Sequence, residues 1–300
     1  MRPLRFGVNC TTTSAVEWVE AARKAEGLGF DTFIAQDHLS AQLAPLPALA
    51  AAAMVTTRLR LATLVLDNDF RHPALVAKDA ATIDLLSGGR MELGLGAGWL
   101  ESDYTRAGIP FDPPAVRLER LAEAVQVCKA LFASETPVTF LGKHYCVQEL
   151  EPLPRPLQKP RPPIMLGGRL RRALQLAARE ADIVGISLLD RRTPDAAPPP
   201  TFAQKVEWVR EAAGDRLNQL LLHVNAAVVD VTGRATEAVE AFAGRSGQSP
   251  EEAAQSPGVL VGGVEAILEK LHAVNERFGV NYWVVHARNM DTFSRVIARL

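Results

Sequence analysis

Short apolar runs alternate with longer segments of helical periodicity along most of the chain. Such alternation is typical of repeated β–α units built on a parallel sheet. The runs predicted to be strands are Arg5 to Asn9, Phe30 to Ala35, Arg60 to Leu66, Met91 to Leu95, Pro163 to Leu166, Asp182 to Ser187, Leu220 to Val229 and Asn281 to His286. Because eight strands close a (β/α)8 barrel, or TIM barrel, the pattern predicts that α/β fold as a single domain over residues 1–300.

Helices are predicted where apolar side chains recur at helical spacing between these strands. Three of them follow Ser14, His72-Pro73 and Pro113-Pro114, and another spans Val264 to Phe278. Each has one apolar face and one polar face. The outer layer of a barrel requires this arrangement, because only one side of each helix packs on the sheet.

Two segments interrupt the alternation and are predicted to be insertions after strands 4 and 6. Pro137 to Val147 has the pattern of a β-hairpin, and a proline-rich stretch continues from it to residue 162. Residues 189–200 include Pro198-Pro199-Pro200 and are predicted to form a mobile loop.

Charge and composition exclude several classes of protein. The chain has 33 basic and 34 acidic residues, and no basic run is interleaved with aromatic residues, so nucleic acid is not an expected partner. The longest apolar stretch, Ala48 to Val55, is far shorter than the roughly 20 residues that cross a bilayer. We therefore expect a cytoplasmic protein that binds small molecules and no membrane.

Cysteine and histidine usage gives no indication of a metal site. Cys10, Cys128 and Cys146 are an odd number without C-x-x-C spacing, which argues against a disulfide framework and against structural zinc. The first strand ends in Val8-Asn9-Cys10 and has no H-x-H pair. No bound metal is expected.

Several segments, taken in order, resemble the bacterial luciferase-like family, particularly its deazaflavin-dependent oxidoreductase branch. They are Gly29-Phe30-Asp31, Asp37-His38, Phe70-Arg71-His72-Pro73, Leu86-Ser87-Gly88-Gly89-Arg90, Gly94-Leu95-Gly96-Ala97-Gly98-Trp99 and Pro162-Pro163-Ile164-Met165-Leu166-Gly167-Gly168. The resemblance extends from Arg5 to about Val285. It implies a barrel that binds coenzyme F420, or alternatively FMN, at the carboxyl ends of its strands, and often a homodimer.

Asp37-His38 is the candidate catalytic pair. It follows the second predicted strand, at the end of the barrel where catalytic groups lie in nearly all such enzymes. A histidine can exchange a proton near neutral pH, and Asp37 is expected to orient the ring. The resemblance places this histidine near the reactive face of the coenzyme ring. The alternative is a histidine that only bonds a neighbouring loop.

Two glycine-rich loops are candidates for binding the coenzyme. Gly96, Ala97, Gly98 and Trp99 lack the spacing of a dinucleotide fingerprint and are interpreted as a close backbone approach to a planar ring, or else as a tight strand exit. The loop Gly167-Gly168-Arg169 precedes a predicted helix, whose free N–H groups suit the coenzyme phosphate. The alternative there is a solvated basic helix start.

The resemblance implies one further cofactor contact, and the sequence differs from the family's sugar-phosphate dehydrogenases at two positions. In relatives, a cis bond between two residues that are not proline lies behind the ring, and the matching residues are Leu64 and Val65. Trp99 replaces an acidic proton donor of the sugar-phosphate dehydrogenases, and Gln42 lies near the place of their tryptophan. A sugar phosphate is therefore an unexpected substrate.

Two carboxylates beyond Trp99, Glu101 and Asp103, are close enough in sequence to reach the mouth of the barrel. Loop carboxylates of this kind are more commonly solvated.

The predicted function is an F420-dependent oxidoreductase that transfers a hydride between the coenzyme and an activated C=C, C=N or C=O bond. An FMN-dependent luciferase-like monooxygenase is the alternative within the same fold. A barrel that binds flavin without turnover is the alternative of another class.

Overall fold

The structure is a computed structural model that describes residues 2–189, 199–232, 234 and 236–300. Its strands are β1 (Arg5–Asn9), β2 (Thr32–Ala35), β3 (Arg60–Thr63), β4 (Leu66–Asp67), β5 (Met91–Gly96), β6 (Val138–Leu141), β7 (Cys146–Leu150), β8 (Ile164–Gly168), β9 (Ile183–Ile186), β10 (Leu221–Asn225), β11 (Val228–Asp230), β12 (Val259–Val261) and β13 (Val280–His286). Most of the loop predicted over residues 189–200 lies outside the described residues.

Helices connect these strands. They are α1 (Ala15–Gly27), α2 (Pro45–Ala53), α3 (Pro73–Ser87), α4 (Glu101–Ala107), α5 (Pro114–Ala133), α6 (Arg171–Glu180), α7 (Phe202–Ala213), α8 (Thr236–Ser246), α9 (Pro250–Gln255), α10 (Val264–Phe278) and α11 (Met290–Ile297). None of the helices in the described part of the chain is both long enough and apolar enough to cross a bilayer.

The main sheet is a closed barrel of eight parallel strands. Its order is β1, β2, β3, β5, β8, β9, β10 and β13, and β4 adds a short second pairing to β5. The pairing of β3 with β5 and that of β1 with β13 complete the ring. The predicted (β/α)8 fold is confirmed.

The chain divides into two compact units. One comprises Met1–Asn9, Ala25–Asp31 and Gly167–Leu300, and the other comprises Cys10–Lys24 and Thr32–Leu166. The expectation of a single domain over the whole chain stays a prediction.

Most predicted elements are confirmed with shifts of one or two residues at their ends. The hairpin predicted from Pro137 is formed by β6 and β7, which pair antiparallel. The single strand predicted over Leu220 to Val229 is wrong, because it is two strands: β10 stays in the barrel, whereas β11 pairs with β12 in a separate sheet. Both halves of that segment are apolar, so hydrophobicity alone does not mark the division.

The second sheet has a small core of its own. Its members are Val228, Phe242, Ala243, Ala253 and Val259, contributed by β11, α8, α9 and β12. Burying these side chains stabilises the segment between β10 and α10 without any residue of the barrel strands, since each buried apolar side chain contributes roughly 1.5 to 3 kcal/mol.

Arg90 joins the start of β5 to the end of α2. Its buried guanidinium donates to the carbonyl oxygens of Ala53 and Thr56 at 2.9 Å and of Leu59 at 2.6 Å. The bond to Ala53 satisfies a carbonyl that the end of α2 leaves without a helical partner, and the other two bonds hold the connection between α2 and β3. The Leu86 to Arg90 motif therefore serves packing, because its arginine is used inside the protein.

Candidate active site

His38 follows β2 and is held by a carboxylate from α4. Its Nδ1 lies 2.9 Å from Oδ2 of Asp103, which belongs to the first turn of α4. The Asp103 side chain is 4% exposed, whereas that of His38 is 25% exposed. Asp103 is therefore buried, whereas part of the His38 side chain is accessible to solvent.

The turn that carries His38 is fixed by a second set of bonds. The amide of Gln42 donates to the carbonyl oxygens of Gln36 at 2.9 Å and of His38 at 3.1 Å. The indole ring of Trp99 is perpendicular to the imidazole, with their centroids 5.6 Å apart. Gln42 lies near the position where the sugar-phosphate enzymes have a tryptophan. Its bonds thus support the backbone of the candidate catalytic residue His38.

The predicted role of Asp37 is wrong. Both of its oxygens accept from the guanidinium of Arg71, at 3.0 and 2.5 Å, and Oδ2 also accepts from the backbone N–H of Asp67 at 2.9 Å. A bidentate arginine pair of this geometry holds the carboxylate away from other roles. Adjacency in sequence indicated His38 as its partner, but in the fold the carboxylate meets Arg71 and the imidazole meets Asp103.

A cluster of partly buried acidic side chains lies at the end of β4. The hydroxyl of Tyr104 donates to Asp67 Oδ1 at 2.7 Å and is 3.2 Å from Asp69 Oδ2. Burial raises the pKa of Asp67 to about 6, although the bond from Tyr104 acts in the opposite direction. Burial also raises the pKa of Asp69, against the opposing effect of Arg120.

The predicted ring-binding residues at the end of β5 pack against the protein itself. A Cβ on Gly96 would lie 2.5 Å from Val65 Cγ2, and one on Gly98 would lie 1.9 Å from the hydroxyl of Tyr104. The carbonyl of Ala97 accepts from Arg117 at 2.9 Å. Packing alone therefore accounts for glycine at both positions, and the approach of a ring to this backbone stays a prediction.

The cis peptide bond expected between Leu64 and Val65 is present, and its geometry is confirmed. Trp99, at the end of the same loop as Gly98, is 60% exposed.

The loop Gly167-Gly168-Arg169 lies in the other unit, where β8 ends and α6 begins. A Cβ on Gly168 would meet the backbone N of Leu174 at 3.0 Å, whereas Gly167 has no heavy atom within 4 Å of that position. No side chain among the described residues caps α6 at Leu170. Its first N–H groups therefore lack a side-chain acceptor at the cap position, which suits an anion.

Sequence reasoning missed Asp103 as the partner of His38. Glu101 is exposed, as expected for a loop carboxylate, but Asp103 and Tyr104 are buried on one side of a short helix that ends at Gly108. The aromatic residue next to Asp103 was the available signal. No group of histidine, cysteine or acidic side chains that could hold a metal ion occurs among the residues that the structure describes.

Comparison with known proteins identifies relatives of two kinds. Residues 4–243 match the profile of the luciferase-like monooxygenases. The chain is 34% identical over 190 residues to an F420-dependent glucose-6-phosphate dehydrogenase of Microbacterium testaceum, covering 60% of this chain and 55% of that protein. It is 32% identical over 127 residues to an FMNH2-dependent dimethylsulfone monooxygenase of Pseudomonas putida, covering 42% of this chain and 34% of that protein. The match thus spans about half, or less, of these curated relatives.

Solved structures extend the similarity of fold to the whole chain. The F420-dependent tetrahydromethanopterin reductase of Methanopyrus kandleri superposes with a TM-score of 0.80 and covers 99% of both chains, at 19% sequence identity. Identity this low supports the fold and says nothing of the substrate.

Proposed function

Because this chain belongs to the luciferase-like monooxygenase family, we propose that it is an F420-dependent oxidoreductase. It transfers a hydride between the coenzyme and a small organic substrate with an activated C=C, C=N or C=O bond. The observation that carries the proposal is the pairing of partly exposed His38 with buried Asp103 at the carboxyl end of a barrel strand. The F420 dependence of the Microbacterium relative supports the choice of coenzyme.

The start of α6 fits the phosphate of that coenzyme. Its uncapped N–H groups, the open side of Gly167 and the cation of Arg169 are donors and positive charge for an anion. The residues proposed to contact the ring are Leu64, Val65, Gly96, Ala97, Gly98 and Trp99. Gly168 belongs to the same loop, but its hydrogen faces α6.

Proton transfer is assigned to His38, while the bound coenzyme supplies or accepts the hydride. Reduction of a polarised double bond leaves negative charge on the acceptor, so a proton must reach the product. The imidazole of His38 is partly exposed and can both deliver a proton and recover one from water. Asp37 supports the site through Arg71 and not through the imidazole.

Sugar phosphates are not the proposed substrates. The acidic residue and the tryptophan that mark such enzymes are replaced here by Trp99 and Gln42, and Gln42 is used to bond the His38 turn. Glucose 6-phosphate is thus a substrate of the Microbacterium relative and is not proposed as a substrate of this chain.

An FMN-dependent monooxygenase is the second candidate, favoured by the relative from Pseudomonas putida. Oxygen consumption with reduced FMN would distinguish it from hydride transfer. A third candidate, a barrel that binds flavin without turnover, requires the His38–Asp103 pair to have no chemical role. A cytoplasmic homodimer is the proposed state of the protein.

Coenzyme choice is tested by titrating the protein with F420 and with FMN in a calorimeter. We expect F420 to bind more tightly. Gly167→Glu should weaken F420 binding by about tenfold or more, because it places an anion at the proposed phosphate site. Gly167→Ala is the matched control and should weaken F420 binding clearly less than Gly167→Glu does, since its methyl group is small, uncharged and meets no protein atom.

Tighter binding of FMN than of F420 would overturn the coenzyme assignment. Equal affinities of the Gly167→Glu and Gly167→Ala variants would exclude this loop as the phosphate site.

The role of His38 is tested by turnover. His38→Asn keeps the approximate shape but removes the titrating proton, so kcat should fall by at least about tenfold, allowing for water as a partial substitute. The dissociation constant of F420 should change little. The measurement is stopped-flow oxidation of the reduced coenzyme by an activated alkene, and a wild-type rate and pH profile in the variant would show that His38 is structural.

A further inference from the structure

We propose that Asp103 is the positioning residue for His38. Its carboxylate fixes the imidazole as the tautomer that carries hydrogen on Nδ1, and this leaves Nε2 as the nitrogen that exchanges protons with the substrate. For the reaction itself, the inference rests on the proposed function. The position of the hydrogen on His38 can be measured without any coenzyme.

The burial of the two side chains differs in the way a positioning role requires. Asp103 is almost sealed from solvent, while His38 keeps a quarter of its side-chain surface exposed. Their contact, Nδ1 to Oδ2 at 2.9 Å, has the length of an ordinary charge-assisted hydrogen bond. The ring nitrogen that meets Asp103 is thus committed to the protein.

The chemistry of the pair determines which nitrogen carries hydrogen. An ionised carboxylate only accepts hydrogen bonds, so Nδ1 must be the donor. In the neutral ring the lone pair then lies on Nε2, which has no partner among the described residues. A buried carboxylate without such a donor would be costly, so each member of the pair requires the other.

The other polar groups near His38 do not bond its imidazole, so Asp103 is the residue that orients the ring. Asp37 is occupied by Arg71, and Gln42 bonds the backbone of the turn and not the imidazole. Trp99 limits the space on one side of the ring through a perpendicular contact. Rotation of the imidazole about its own axis is restrained by the bond to Asp103.

With cyclohex-2-en-1-one as the substrate, this arrangement serves reduction of the C=C bond by a hydride and a proton. When bound, the reduced coenzyme would supply the hydride for the β carbon, and the proton that it loses on oxidation would pass to water. The Nε2–H of a protonated His38 gives its proton to the α carbon, so the C=C bond becomes a single bond and cyclohexanone forms. His38 is left neutral with hydrogen on Nδ1, still bonded to Asp103, and water returns a proton to Nε2.

Nitrogen-15 NMR of the histidine-labelled full chain without coenzyme tests the hydrogen position. The His38 resonance is assigned by its loss in His38→Asn, and spectra are recorded at a pH where the ring is neutral. We expect the wild-type protein to show a protonated Nδ1 and a bare Nε2. Asp103→Ala should shift the population toward hydrogen on Nε2. A wild-type tautomer in Asp103→Ala would overturn the proposal.

Turnover with F420 and cyclohex-2-en-1-one supplies the second readout. Asp103→Ala should lower kcat by at least about tenfold with little change in the KM for the alkene, because the side chain acts on the ring and not on the substrate. Glu101→Gln is the matched control, since it removes an exposed carboxylate two positions earlier on α4. It should keep the wild-type tautomer and rate. Loss of rate in Glu101→Gln equal to that in Asp103→Ala would contradict the proposal.

Asp103→Asn separates hydrogen placement from charge and remains informative if Asp103→Ala does not fold. The asparagine oxygen can accept from Nδ1, and its NH2 group can instead donate to Nδ1. We expect kcat to follow the fraction of His38 that carries hydrogen on Nδ1. A low kcat with the wild-type tautomer would show that the charge of Asp103 matters and would overturn the positioning role. If wild-type protein does not oxidise reduced F420, the proposed function fails, while the NMR result still decides the placement of the hydrogen.

Discussion

Two glycine loops at the ends of barrel strands have similar sequences and different surroundings. In the loop after β5, the space next to Gly96 and Gly98 is filled by Val65 and Tyr104. In the loop that ends β8, the corresponding space next to Gly167 is open. Glycine thus meets a packing requirement at positions 96 and 98 and leaves room at position 167.

The difference shows how a glycine should be weighed as evidence for a ligand. Where a Cβ would collide with buried protein atoms, the fold already explains the glycine and a ligand adds nothing to the explanation. Where it would meet nothing, the glycine is compatible with an approaching ligand. On this criterion Gly167 is the stronger candidate, and Gly96 and Gly98 are the weaker ones.

The largest effect is expected at Gly98. Its φ of +72° is unfavourable for alanine, and the added methyl group would collide with the hydroxyl of Tyr104, which is fully buried and bonded to Asp67. Gly98→Ala should lower the free energy of unfolding by about 2 to 5 kcal/mol, measured by urea denaturation.

Gly167→Ala provides the comparison in the open loop. Its effect should stay within about 1 kcal/mol and lie in the stabilising direction, because alanine restricts the unfolded chain. Equal losses in Gly98→Ala and Gly167→Ala would remove the distinction between the two loops.

A smaller effect, which depends on pH, is expected from the acidic cluster packed under Gly98. The pKa of Asp67 is raised by burial to about 6 in the folded protein, from 3.8. The folded state therefore binds the proton more tightly than the unfolded state does. This contribution to stability is fully present below about pH 4 and is lost as the pH rises through about 6.

Asp67→Asn removes the loss of stability that accompanies ionisation of Asp67, and the asparagine oxygen still accepts a hydrogen bond from Tyr104. The variant should gain about 1 to 3 kcal/mol relative to the wild type between pH 4 and pH 7, measured by denaturation across this range. Asp79→Asn, which alters an exposed carboxylate on α3, should show no such pH-dependent gain. A constant difference between Asp67→Asn and the wild type from pH 4 to pH 7 would disprove the raised pKa.

A smaller cost than that at Gly98 is expected at Gly96, where one side-chain atom causes the collision. Gly96→Ala should cost about 1 to 2 kcal/mol, since the added Cβ would meet Val65 Cγ2. Gly96→Ala combined with Val65→Ala should cost less than the sum of the two single changes, because the second substitution removes the colliding atom. Additive costs would mean that another contact constrains Gly96.

Most of the barrel could be predicted from the sequence because its information is local. Each barrel strand is a short apolar run, and the four helices first identified repeat their apolar residues at helical spacing. The helix α2 was not predicted, since Pro45–Ala53 is apolar nearly throughout and has no polar face to reveal its period. The sheet of β11 and β12 was missed because its pairing joins Val228 to Val259, which are far apart in sequence.

The site was less predictable for the same reason. The position of His38 follows from the end of β2, but its partner lies 65 residues further on. Asp37 and Asp103 look alike in sequence, and their roles are decided by which cation or ring meets each of them in the fold. Local patterns identify where a group lies along the chain, whereas its partner depends on packing.

The bonds made by Arg90 have a consequence for synthesis on the ribosome. The end of α2 relies on a guanidinium 37 residues later in the chain, which donates to the carbonyl of Ala53. When α2 leaves the exit tunnel, that donor has not yet emerged from the ribosome, so the helix end cannot be completed at that moment. The order of translation thus places the closing of this corner after the start of β5 has been translated. A lysine at position 90 could not replace the arginine there, because its single ammonium group cannot span the same carbonyls.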